Sequence, residues 1–227
     1  MDEAFFNTLL ITFKLAGLTT LVLLAIGIPL AYFLVYSKSW FKNLIEALVS
    51  LPIVLPPTVI GFYLLVAFSA DHPFGHYLMD TFGIRLNFTF TGILIGSIIY
   101  SLPFMVHPIQ AGLQHLPPSL KEASWSLGKS PQTTLFKVLL PNIKPALLSG
   151  IVLSFAHTVG EFGLILMIGG NIPGKTRVAS IAIYDEVESL NYGLANQYAL
   201  VLILIAFLIL FMLFYLNRKY LSKKDYD

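Results

Sequence analysis

Cysteine is absent from the 227 residues. That excludes disulfides, thiolate metal sites and cysteine nucleophiles in one step. Charge is scarce as well: Asp, Glu, Lys and Arg make up 11% of the chain, against 56% hydrophobic residues. Soluble domains carry about 25% charged residues to cover a wet surface, so most of this surface must face something other than water. Tryptophan occurs only twice, while phenylalanine reaches 18 and tyrosine 11, a balance that suits a lipid-facing exterior. The formal net charge of +2 is too small to point to nucleic acid. No internal repeat stands out at any useful period. What the chain does have is long apolar runs, reflected in a mean hydropathy of +0.78.

Crossing a hydrocarbon core of about 30 Å takes about 20 apolar residues. Five segments qualify, at about 15–36, 44–68, 92–109, 146–168 and 198–215. The first is too long for a signal-peptide core, lacks a basic leader and follows Asp2 and Glu3, so it is expected to stay as a span. Backbone polar groups in lipid must be satisfied within the segment, which makes these spans helical; the two-residue alternation of barrel strands is missing. The expected fold class is therefore all-α integral membrane, with about five transmembrane helices in a single domain over residues 1–227.

Orientation follows from where Lys and Arg fall between spans. Lys38, Lys42, Lys121, Lys129, Lys137, Lys144, Arg218, Lys219, Lys223 and Lys224 collect on one side, ten in all. Arg85, Lys175 and Arg177, three in all, lie on the other, with Lys14 near the outer end of the first span and able to snorkel outward. The ten-cation side is expected to be cytoplasmic, with the amino terminus outside and the carboxyl terminus inside.

The main polar interruption, 112–145, reads as two short helices on the cytoplasmic face. Ser119 and Glu122 have the spacing of a capping box. Gly128 suits a left-handed helix end. Ser130 then caps a second helix with Pro131 at its first position, and Pro141 and Pro145 are expected to close it. Such capped helices occur in many cytoplasmic loops. The spacing adds to this: Glu122-Ala123-Ser124, three residues, Gly128, nine residues, Val138, one residue, Leu140-Pro141. It resembles the coupling-loop motif of ABC importer permeases, Glu-Ala-Ala, three, Gly, nine, Ile, one, Leu-Pro. Ser124 replaces the second Ala and Val138 the Ile. Small Ala123 and Ser124 would let a helix seat closely in a partner's groove.

The resemblance extends to Leu51 through Gly61, to Gly160-Glu161-Phe162-Gly163, and to Gly169 through Thr176. It also takes in Ile181-Ala182-Ile183-Tyr184, Thr19-Thr20 and Gly27 through Ala31. These stretches look like those of molybdate permeases. Sulfate permeases share parts of the pattern but tend to be longer. The resemblance implies an ABC importer permease fold, a coupling loop over 117–141, and a second copy of the chain. It also implies two cytoplasmic ATP-binding cassette subunits and an extracellular or periplasmic oxyanion-binding protein. On it the chain is no enzyme and holds no cofactor, ATP and Mg residing on the partner ATPase, and it sits in a prokaryotic cytoplasmic membrane. The implied cargo is molybdate, with tungstate or sulfate as alternatives.

Candidate pathway residues come from polarity and prolines within the spans. Pro52, Pro56, Pro57, Pro103 and Pro108 are expected to break backbone ladders, tolerable only where protein or a cavity covers them. Thr58, Ser101 and Ser154 could offer hydroxyl donors. Glu161 is an acid within a span, a placement costing about 3 kcal/mol or more unless it faces a cavity or bundle interior. It is expected at a gate, or as a partner for backbone freed by Gly160 and Gly163; a carboxylate would repel an anionic cargo. His157 and Thr158 lie one turn earlier, and a lone membrane histidine more often bonds a neighbouring helix than a ligand. Gly169 through Thr176 fits the phosphate-loop pattern letter for letter, but follows a membrane helix on the outer side, so a turn is expected instead. A membrane enzyme is the rival class; Glu161 and His157, with no third partner, are too sparse to support it.

Overall fold

The structure, a computed structural model, describes residues 3–224, with side chains described as far as Tyr215 and at Asn217. The side chains of Arg218, Lys219, Lys223 and Lys224 lie outside the described residues. In chain order the helices are α1 (Glu3–Tyr36), α2 (Phe41–Val54), α3 (Pro57–Ala67), α4 (Pro73–Phe82) and α5 (Phe90–Gln114). There follow α6 (Pro118–Ser126), α7 (Pro131–Thr134), a π-helical turn (Leu135–Leu139) and α8 (Leu140–Asn142). The chain ends with α9 (Lys144–Gly160), α10 (Gly163–Gly169), α11 (Ala179–Glu188) and α12 (Tyr192–Lys224). No strand occurs among the described residues.

Three helices, α1, α5 and α12, are each long and apolar enough to cross a membrane. Two bent pairs could bring the number to five: α2 with α3, meeting at 113°, and Pro131–Asn142 with α9, meeting at 83°. The expected spans at 44–68 and 146–168 are thus not continuous helices. In the first, Leu55 and Pro56 take extended backbone with ψ of 138° and 140°. A residue preceding proline is pushed out of the helical region, and Pro57 then starts α3 at a position where its missing N–H costs nothing. In the second, Glu161 is extended (φ −67°, ψ 130°) between α9 and α10. Pro52, Pro103 and Pro108 lie inside their helices, α2 running through Pro52 and α5 through Pro103 and Pro108. Each of these prolines removes one ladder bond without ending its helix.

α1, α5 and α9 pack against one another as the centre of the bundle. One core cluster joins Leu23, Leu34, Met105, Ile109 and Leu113 to Leu135, Leu139, Leu140 and Ile143, so the polar interruption is rooted in the span core. A second cluster, with Ile11, Leu15, Ile93, Leu164, Ile165 and Ile168, fills the opposite half. Thr12 ties α1 to α11: its hydroxyl donates to Thr8 O at 2.7 Å and accepts the Ala179 N–H at 2.8 Å. That satisfies an orphan donor at the start of α11, whose own preceding residue, Val178, supplies no cap.

Candidate functional site

The two helix breaks face each other. A Cβ on Gly163 would lie 3.2 Å from Thr58 Cγ2 and 3.4 Å from Pro57 Cγ, and one on Gly61 would lie 3.1 Å from Leu164 Cα. Only glycine lets α3 and α10 approach this closely, since the contact at Gly61 is with backbone that cannot swing aside. Between the breaks opens a cavity of about 490 Å³, lined among others by Pro57, Thr58, Tyr100, His157, Glu161 and Phe162. No Lys or Arg lines it.

Glu161 is 4% exposed, and both carboxylate oxygens lack a hydrogen-bond partner within the chain. Ser97 Oγ faces the carboxyl, yet neither group completes a hydrogen bond of ordinary geometry. The residue's backbone is better served. Its carbonyl accepts from Ser180 Oγ at 2.6 Å, which fastens the break to α11. Its N–H reaches Thr158 O at 3.3 Å. Phe162 packs on Tyr184 at a tilt of 46°, with centroids 5.1 Å apart, a second tie to α11.

Ser101 anchors the histidine. Its Oγ lies 2.9 Å from His157 Nδ1 and 3.0 Å from Thr158 Oγ1, and Thr158 Oγ1 donates to Ser154 O at 2.9 Å. Counting protons settles the neutral ring's tautomer. Thr158 spends its hydrogen on Ser154 O, so Ser101 donates to Thr158 and His157 Nδ1–H donates to Ser101. Nε2 is then the acceptor nitrogen, which gives the neutral ring no donor there for an anion. Phe104 stacks on the imidazole at 4.0 Å and Tyr100 lies at 4.9 Å.

Pro57, Thr58, His157 and Glu161 therefore share one cavity, with Ser101 and Thr158 behind the histidine. Ser154 is fully buried, its hydroxyl without a partner, and outside the lining. Pro56 marks the break but is also outside the lining. Ser97, Tyr100, Phe104 and Ser180 were missed. The first three recur with Ser101 at 97, 100, 101 and 104, the spacing of one helix face, which was visible in the sequence.

The polar interruption forms a second constellation. Gly128 takes φ +68°, as expected for a left-handed helix end. Ser130 accepts the Thr133 N–H at 3.2 Å, capping α7 as expected. The capping box at Ser119 is corrected: α6 starts at Pro118, its N-cap is Pro117, and no side chain caps it. Pro118 supplies the preset φ of a first helical residue, so the N-cap falls two residues before Ser119. Pro141 and Pro145 do not close the second helix; Pro141 lies in α8 and Pro145 in the first turn of α9, with the bend at Ile143 between them. Ser124 is buried and its hydroxyl lies 2.8 Å from that of Thr134, joining α6 to α7. Lys121 Nζ sits 4.2 Å from the Tyr36 ring centroid and 4.8 Å from that of Trp125, tying α6 to α1. Val138 is half-buried and Leu140 buried, while Glu122, Ala123 and Pro141 are exposed. Leu127 (76% exposed) and Phe136 (62%) leave apolar surface on the same loop.

At the other face, Gly169 through Thr176 is a turn and not a nucleotide loop. It follows α10, and Thr176 is fully buried, donating to Gly169 O at 2.6 Å. The N–H groups of Lys175, Thr176 and Arg177 all converge on Ile172 O, at 3.0–3.1 Å, and so are not free for phosphate.

Solved structures share this architecture. A chain of a bacterial ABC transporter involved in the import of the acidic polysaccharide alginate matches with TM-score 0.80 at 19% identity, over 96% of this chain and 80% of that one. A chain of the MetNI methionine ABC transporter, in an inward facing conformation, matches with TM-score 0.72 at 18% identity, over 96% and 99%. The fold is that of chains found in ABC transporters. More particularly, the chain belongs to the family described as binding-protein-dependent transport system inner membrane component, matched over residues 24–222. The molybdenum transport system permease protein ModB of Azotobacter vinelandii is 44% identical over 92% of this chain and 92% of its own length. A probable sulfate transport system permease protein of Chlorella vulgaris is 36% identical over 98% and 82%. The sulfate transport system permease protein CysT of Escherichia coli is 34% identical over 86% and 70%.

Proposed function

We propose that this chain is the membrane permease subunit of an ATP-driven importer that carries molybdate across a prokaryotic cytoplasmic membrane. The observation that carries the cargo is the near end-to-end 44% identity to a molybdenum permease. The sulfate permeases match less closely and are longer than the region they share with this chain. Two copies of the chain would form the translocation path. Each would present the loop of α6 and α7 to one cytoplasmic ATPase, with ATP and Mg held there. An external binding protein would deliver the oxyanion. The amino terminus would lie outside and the carboxyl terminus inside, as the placement of Lys and Arg implies.

The geometry supports this division of labour. Leu135, Leu139 and Leu140 sit in one core with residues of α1 and α5, so force applied to α6 would reach the spans rather than dissipate in a loose loop. The gate would be the cavity where the α2–α3 and α9–α10 breaks meet, because a chain reversed at two facing breaks can rock about them. A cavity without Lys or Arg suits a doubly charged cargo that must leave again; tight recognition would rest with the binding protein. Glu161 would shape the gate and not ligate the anion.

The test is reconstitution of the chain with its ATPase and binding protein in vesicles. Molybdate-loaded binding protein should stimulate ATP hydrolysis in the wild type. Glu122→Ala should abolish that stimulation with the subunit still in the membrane. Failure of the chain to co-purify with any ATPase would overturn the subunit assignment.

A further inference from the structure

The turn over Gly169–Thr176 is no nucleotide loop, but its lysine has an unexplained companion. α1 carries two charged residues, Glu3 and Lys14, in 34. Lys14 is thus the one charge in α1 beyond its first residue, and no acid pairs with it: the ion pairs among the described residues belong to His76 and Arg177. Its ammonium instead lies 4.9 Å from the Phe90 ring centroid. Lys175 is equally unpaired. Two acids of α11, Asp185 and Glu186, meet Arg177 instead, at 3.3 and 3.4 Å. Asp185 also accepts from Asn171 Nδ2 at 2.6 Å, and Glu186 from Asn191 Nδ2 at 2.8 Å.

Lys14 and Lys175 line one cavity of about 320 Å³, walled also by Phe88, Thr89, Phe90 and Gly174, and no carboxylate enters its lining. That volume lies at the lower end of small-ligand sites, about 300–1,000 Å³. Its walls are fixed. Phe88 sits at φ +64°, held by its N–H donating to Ile168 O at 2.8 Å and packed against Gly170, where a Cβ would come within 2.6 Å of the Phe88 ring. Thr89 spends its hydroxyl proton on Leu86 O at 2.6 Å and is no donor to a ligand. The turn bearing Lys175 is cross-braced by Thr176. Two lysines therefore line one open cavity, with no carboxylate in its wall to meet them. Basic pockets between membrane helices bind lipid headgroups, and lysine binds phosphate as a point charge.

We propose that this cavity is a binding site for a tetrahedral oxyanion of the phosphate class, with Lys14 and Lys175 as its two cationic contacts. The site is separate from the gate cavity, with which it shares no lining residue, and does not depend on the cargo assignment. Its source is either a phospholipid headgroup at the outer leaflet or a free oxyanion, which share this chemistry.

The experiment uses the full chain assembled with its ATPase, as wild type, Lys14→Gln/Lys175→Gln and Lys14→Arg/Lys175→Arg. One arm titrates phosphatidylglycerol, with diacylglycerol of the same acyl chains as the phosphate-free control, and reads retained lipid by native mass spectrometry. The other reads radiolabelled inorganic phosphate by equilibrium dialysis. The wild type and the Arg variant should bind one additional ligand per chain in one arm, and the Gln variant should lose at least about tenfold in affinity there. The arm that responds names the source. Equal binding by wild type and Gln variant in both arms, no binding by the wild type in either, or diacylglycerol retained as well as phosphatidylglycerol would overturn the site. Both lysines are solvent-exposed in the chain, and unchanged thermal unfolding of the Gln variant would confirm that loss of binding is not loss of fold.

Discussion

Replacing Gly128 separates what the proposed coupling loop needs for its own fold from what docking on an ATPase would need. The residue sits at φ +68°, and no neighbouring atom lies within 4 Å of where a Cβ would stand. An added methyl therefore meets no clash inside the chain, and the cost is backbone strain alone, about 1–2 kcal/mol for an ordinary L-residue in this region. Asn tolerates the conformation far better, and Val, branched at Cβ, tolerates it worst. Against a total stability of about 5–15 kcal/mol, each variant should stay folded and inserted. The equilibrium constant for the docking geometry over other loop conformations should nonetheless fall by roughly 5–30-fold for Ala, the equivalent of 1–2 kcal/mol. The assay is binding-protein-stimulated ATP hydrolysis alongside uptake in vesicles, for Gly128→Asn, Gly128→Ala and Gly128→Val at matched membrane abundance. The expected order is Gly, Asn, Ala, Val, with both activities falling together. Uptake by Gly128→Val within twofold of wild type would refute the reasoning. An Asn variant as impaired as Ala would show that bulk at the partner surface, not the backbone angle, is what matters.

Three further outcomes are expected. Gly61→Val should push α3 off α10 at a cost of about 1–3 kcal/mol of overpacking, read as a lower unfolding temperature in detergent, whereas Gly17→Ala, inside α1 with nothing within 4 Å of its Cβ position, should not lower it. Glu161→Gln should leave the KM for uptake within about threefold; a tenfold rise, about 1.4 kcal/mol, would mean the carboxyl contacts the cargo after all. Ser124→Ala and Thr134→Ala each strand a buried hydroxyl and should cost about 1–3 kcal/mol singly. The double variant should cost less than the sum, and hydrogen exchange over α6 and α7 would reveal whether it does.

The helical class, the spacing of the polar loop and half of the expected pathway candidates now found lining the cavity at the breaks, Pro57, Thr58, His157 and Glu161, were legible in the sequence because each rests on local signals. Apolar run length marks the spans, Gly128 and Ser130 declare helix ends, and Pro56-Pro57 announces a break. What stayed hidden depends on neighbours distant in the chain. Whether a proline ends a helix or only removes one ladder bond is such a case: α2 and α5 run through Pro52, Pro103 and Pro108, whereas the chain turns at Pro56. Ser119 looked like an N-cap because its spacing to Glu122 is right, but Pro118 begins the helix first. The 113° turn at Leu55-Pro56 could be foreseen as a kink but not as an angle, since α10 packing on α3 sets it. The meeting of Lys14 with Lys175, 161 positions apart in the numbering, leaves no local trace at all.

The most direct test of the central claim is oxyanion uptake by cells lacking this chain, with molybdate, tungstate and sulfate each supplied at low concentration. Selective loss of molybdate uptake, restored by the wild-type chain and not by Glu122→Ala, is the predicted result. Loss of sulfate or tungstate uptake with molybdate unaffected would contradict the cargo, and unchanged uptake of all three would contradict the permease account itself.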